Sequence, residues 1–119
     1  MTYPRETAPT TVAVTPTLTL GAAWDVRDTT VLGVQIEVTG AEPVTVVVMA
    51  RIDDSFDWGP SPLVINTPAN DGTGVLQPGE TGRVDIDAGA NLEVGLFFSC
   101  PTVASAVLVG GRTDGGKRR

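Results

Sequence analysis

VLGVQIEVTGAEPVTVVVMARIDDSFDW, residues 31–58, is the stretch that decides the fold. Leu32, Val34, Ile36 and Val38 alternate with Val31, Gly33, Gln35 and Glu37, the period of two that marks a strand with one buried face. Thr39-Gly40-Ala41-Glu42-Pro43 breaks the pattern with turn residues, and Val44 to Ile52 resumes it. The stretch therefore reads as a β-hairpin with a loop of roughly five residues. Its second strand is apolar on nearly both faces, with Val47 and Met49 opposing Val44, Val46, Val48, Ala50 and Ile52. Such a strand is expected at the centre of a sheet, covered on each side. It runs out into Asp53-Asp54-Ser55-Phe56-Asp57-Trp58, an acidic loop with two large aromatics.

Toward the N-terminus, Met1 to Pro9 is polar, carries two prolines and has no period. Thr10 to Leu20 is strand-like, but Pro16 interrupts it, which predicts an edge strand or two short strands meeting at a bend. A lone Trp24 follows in a turn region and is expected to cap one end of the core.

Toward the C-terminus, Leu63–Ile65 reads as a short strand and 66–74 as a turn-rich loop. Val75-Leu76 is a brief pairing segment before the Pro78-Gly79 turn. Val84 and Ile86 point inward between Arg83, Asp85 and Asp87; Leu92, Val94, Leu96, Phe98 and Cys100 alternate with Glu93, Gly95, Phe97 and Ser99. Pro101 ends that strand, and Val103–Val109 supplies the last. About seven to nine short strands, regularly spaced and with no substantial helix, predict an all-β fold: an antiparallel β-sandwich of jelly-roll or Ig-like type. The expected organisation is an extended N-terminal arm over 1–16, the sandwich over 17–109 and a basic tail over 110–119.

At 119 residues the chain is one domain, large enough to bury a core without staples. Charge is lopsided. Residues 110–119 hold Arg112, Lys117, Arg118 and Arg119 against Asp114, +3; the remainder holds four arginines against thirteen acids, −9; together these give −6. An acidic body does not seek nucleic acid or an anionic membrane, and the tail suits an acidic neighbour. No run approaches a membrane span, and Met1–Pro16 has no apolar core, so no export signal is expected.

Chemistry is scarce. The absence of histidine removes Ser-His-Asp and Cys-His catalysis and the usual zinc sites. No phosphate-cradling glycine loop is present, and six scattered aromatics make no stacking platform. The single cysteine, Cys100, shares the apolar face of its strand and is expected to be buried and inert. The expectation is a protein with no catalytic residues, no metal, no cofactor and no small-molecule substrate. The acidic loop, Asp53, Asp54, Asp57 and Trp58, is the one candidate ligand site, either for calcium through its carboxylates or for a sugar ring stacked on Trp58. Otherwise Phe56 and Trp58 fold back over the core and the aspartates stay wet.

The order of strand, Thr-Gly turn, valine-rich strand and Ile52-Asp53-Asp54-Ser55-Phe56-Asp57-Trp58 resembles small β-sandwich virion proteins of tailed bacteriophages. In these a hairpin leads into a Ser-x-Asp-Gly-x-x-Trp type loop; this chain keeps the Asp and the Trp and lacks the glycine. The resemblance spans roughly Thr30 to Cys100. It implies a virion structural role, capsid decoration (cement) first, with a tail or neck component or a carbohydrate-binding module using Trp58 as alternatives. Its implied partners are the major capsid protein and further copies of the chain. The implied location is the capsid surface, after synthesis in the host cytoplasm. The residues expected to reach partners lie at the two ends: Tyr3, Pro4, Arg5, Pro9, Arg112, Lys117, Arg118 and Arg119.

Overall fold

A computed structural model of the chain describes residues 4–27, 29, 31–53, 55–60, 74–87 and 93–114. Among these, nine strands form: β1 (Glu6–Val14), β2 (Thr19–Asp25), β3 (Val31–Val38), β4 (Val44–Arg51), β5 (Gly59–Pro60), β6 (Val75–Leu76), β7 (Thr81–Asp87), β8 (Glu93–Ser99) and β9 (Ser105–Asp114). One sheet has the order β1-β9-β3-β7; the other has β2-β8-β4-β5, with β6 also pairing β4. Every described pairing is antiparallel. Successive long strands alternate between the sheets, which is the winding of a jelly roll. The expected all-β sandwich is present, and the strand order selects the jelly roll over the Ig-like arrangement.

The alternating patterns fix which side chains meet between the sheets. Leu32, Val34, Ile36 and Val38 from β3, Val107 and Val109 from β9, and Val84 and Ile86 from β7 line one wall. Val44, Val46 and Val48 from β4 and Val94, Leu96 and Phe98 from β8 line the other. Trp24 is fully buried among them, at the end of the core where β2 and β9 finish, as expected.

The hairpin expected over residues 31–52 does not form. β3 pairs with β9 and β7, whereas β4 pairs with β8, β5 and β6, so Thr39–Pro43 crosses from one sheet to the other. A period of two specifies the buried face of a strand but not its neighbour. The crossing is held instead by the start of β9 and by the β8–β9 connection, which also passes between sheets. Thr39 N and Gly40 N donate to Ala106 O at 2.9 and 3.1 Å, and the Glu42 carboxylate accepts from Thr102 N, Thr102 Oγ1 and Val103 N. β4 is central as expected, but the side chains on its outer face are only partly covered: Val47 and Met49 are half-buried.

The ends of the chain also depart from expectation. Glu6–Pro9, expected in the extended arm, joins Thr10–Val14, expected as an edge strand, in β1, which pairs along β9. Pro16 separates β1 from β2, as its position predicted. β9 runs to Asp114, so Gly110, Gly111 and Arg112 belong to the sheet rather than to the tail. Gly111 is required there: a Cβ at this position would stand 2.7 Å from Trp24 Cζ2. The short strand expected at 63–65 lies outside the described residues.

Candidate interaction surface

The jelly-roll winding brings the start of β1, the ends of β2, β4 and β9 and the start of β8 to one end of the sandwich. Cross-strand register places Asp25, Glu93 and Arg51 in one row across the outer face of the second sheet. Both acids are buried, Asp25 at 5 % and Glu93 at 3 % exposure. Burial of a carboxylate is tolerated only with a paired, hydrogen-bonded cation. Arg51 supplies it to Glu93, with Nε 2.7 Å from Oε1. Arg27 supplies it to Asp25 through its backbone N–H and through Nε and Nη2, the last at 2.7 Å. The Arg27 side-chain hydrogen bonds hold the Asp25 carboxyl below its ordinary range against the opposing effect of burial.

Arg51 also organises the acidic loop. Its Nη1 donates to Phe56 O at 3.1 Å, and its guanidinium lies 4.4 Å over the Trp58 ring. Trp58 meets Phe97 edge-to-face, ring centroids 5.9 Å apart. Gly95, beneath it, has no side chain to obstruct this; a Cβ there would approach Trp58 to 3.3 Å and Leu20 to 2.8 Å. Asp53 closes the turn by accepting from Ser55 N and Ser55 Oγ at 2.9 and 2.8 Å. Hydrogen bonds thus hold this loop at Asp53 and Phe56, while Ile52 (62 %) and Phe56 (57 %) stand exposed.

The N-terminal segment enters at the same end. Pro4 O accepts from Asp25 N of the second sheet, and Arg5 O accepts from Thr113 N of the first. The Arg5 guanidinium reaches Arg27 O and Thr29 Oγ1, both at 2.6 Å. Pro4 and Arg5 thus fasten the two sheets to one another.

Of the residues expected to reach partners, Pro4 and Arg5 join this cluster. Pro9 and Arg112 do not; they border a shallow depression of about 360 Å³ on the outer face of the first sheet, floored by Gly33 and Gly110. Arg112 lies 3.6 Å from Glu6, both largely exposed, a pairing that contributes little. Tyr3, Asp54, Lys117, Arg118 and Arg119 lie outside the described residues. Within the acidic loop, Trp58 folds back onto Phe97 and Gly95 on the outer face of the second sheet rather than over the core, and Phe56 is exposed. Asp57 is exposed. Sequence reading missed the buried Asp25 and Glu93. The available signal was Glu93 and Arg51 at outward positions of otherwise apolar strands, each an isolated charge in need of the other.

No family model and no curated protein matches the sequence. Among solved structures, the chain is similar in fold to the SPBc2 prophage-derived protein YomS, at 17 % identity, with 91 % of this chain and 96 % of that chain covered and a TM-score of 0.53.

Proposed function

We propose that this chain is a structural component of a phage particle, a decoration (cement) protein that binds the major capsid protein on the outside of an assembled shell. Its role is to hold neighbouring subunits together, without catalysis. The observation that carries this reading is the hydrogen-bonded loop at one end of the sandwich, which exposes Ile52 and Phe56 beside the point where the N-terminal segment is clasped. Exposed apolar residues on a hydrogen-bonded loop lose less entropy on docking than those on an untethered one, which suits a surface made to be covered. The fold shared with a prophage-derived protein and the resemblance of the 52–58 loop to virion sandwiches support the same reading. Trp58 is a poorer sugar platform, because Arg51 lies over its ring.

The test is co-sedimentation with expanded shells of the phage that encodes the chain, followed by electron-microscopic imaging. Wild type is expected to sediment with the shell and to add density on its outer surface. The double variant Ile52→Ser/Phe56→Ser is expected to stay in the supernatant with an unchanged melting curve. Wild type left in the supernatant, or density on the tail alone, overturns the proposal.

A further inference from the structure

The two long edges of the first sheet are guarded differently. β7 carries Arg83 and Asp85 outward, charges that discourage a further strand from adding. Beyond Glu6 at its start, β1 carries none: Thr7 to Val14 is eight residues without a charge. Ala8 to Thr11 and Ala13 are exposed, and among the described residues no strand pairs with the outer side of β1. Its first half is blunted. The register slips between Thr7 and Thr10, Pro9 has no N–H, and Thr10 Oγ1 donates to Ala8 O at 2.9 Å. Thr10–Val14 has no such device.

This open half of β1 borders a groove. β2, the edge of the second sheet, lies beside β1, and the gap of about 320 Å³ between them is lined by Thr10, Val12, Leu20, Ala22 and the core residue Val109. Two strand edges flanking an uncharged, largely apolar gap are what an added strand requires: backbone groups to pair with and a place for alternate side chains. Each copy carries −6, so two copies repel wherever they present their acids and can approach closely only through a neutral surface. The β1 edge is such a surface, and a strand running antiparallel to its own copy is self-complementary about a two-fold axis.

We infer that the chain forms a two-fold dimer through antiparallel pairing of Thr10–Val14 with the same segment of a second copy. The pairing joins the two first sheets into one continuous sheet, and the inward side chains of each β1 close the mouth of the other copy's groove. The inference goes beyond the shell-binding reading and stands without it, since dimerisation is measured on the purified chain alone.

Analytical ultracentrifugation over a concentration series, with amide hydrogen exchange, tests it. Wild type is expected to pass from the monomer to twice the monomer mass as concentration rises, and the amides of Thr10–Val14 to gain protection in parallel. Thr11→Lys, which sets two like charges close together at the axis, is expected to shift the transition to at least about tenfold higher concentration. Gln35→Lys, on the exposed outer face of the same sheet, is expected to behave as wild type. A wild type that stays monomeric to millimolar concentration overturns the inference, as does a dimer indifferent to Thr11→Lys. Should Thr11→Lys fail to fold, the exchange data on wild type decide: a dimer without protection at Thr10–Val14 overturns the inference.

Discussion

Gly111 and Trp24 divide one volume: the indole of Trp24 occupies the space that a side chain at residue 111 would fill, with a Cβ–Cζ2 separation of only 2.7 Å. Gly111→Ala is therefore expected to destabilise the fold by about 1–3 kcal/mol, the usual cost of overpacking a filled core. Trp24→Phe vacates part of the ring and removes Nε1, a buried N–H without a partner among the described residues. In that background Gly111→Ala should cost less. A double-mutant cycle by urea unfolding measures the coupling, and strict additivity would argue against shared space.

Arg51→Met should be more damaging than its partly exposed side chain suggests. It leaves Glu93 buried and unpaired, at an expected cost of roughly 3–5 kcal/mol. It also frees Phe56 O and uncovers Trp58, so the intrinsic fluorescence should shift. Arg51→Met/Glu93→Leu is expected to recover most of the lost stability, because an apolar pair of similar size needs no desolvation. Chemical denaturation of the three proteins checks the order.

Acid should loosen the clasp around the N-terminal segment. Asp25 has its folded-state pKa lowered from 3.8, chiefly by the Arg27 side-chain hydrogen bonds, so its contribution is present above about pH 4 and is lost as pH falls through the depressed value. Asp25→Asn is expected to reduce stability at neutral pH by about 1–2 kcal/mol, with exposed Arg27 keeping the figure modest. The difference from wild type should then shrink below pH 4. Urea midpoints from pH 2 to 7 provide the measurement; a constant difference would contradict the assignment.

Cys100 is expected to resist thiol reagents in the folded protein. Burial pushes its pKa up, the Glu42 carboxylate adds to the effect, and its Sγ lies 3.7 Å from Val14 O. Labelling at pH 8 should be slow in buffer and fast in denaturant. Rapid native labelling would show that the β8–β9 connection opens readily.

The sequence made the buried faces plain and left the neighbours open. The alternation in residues 32–38, 84–86 and 94–100 put the right side chains in the core, because burial is a property of each strand alone. Pairing depends on residues far apart in the chain. Thus Thr39–Pro43 looked like a hairpin loop when it is a crossing, and nothing local in 31–52 announces β9 as the partner of β3. Gly110-Gly111 read as the start of a tail because the reason for glycine there, the ring of Trp24, is contributed by another strand. Pro4 and Pro9 suggested a free arm, yet a proline at a bulge is compatible with an edge strand. At the candidate surface, the exposed loop was legible from its composition, whereas the ion pair beneath it, Arg51 with Glu93, joins residues 42 positions apart.

β9 lies between β1 and β3, although it comes last in chain order. While the protein is being made, β1 therefore has no partner and β3 has only β7 until residues 105–114 have left the ribosome. The first sheet cannot close before that strand has been made. Folding is expected to wait for β9, to be slow for a domain of this size, and to leave the valine-rich strands made earlier unpaired in the meantime.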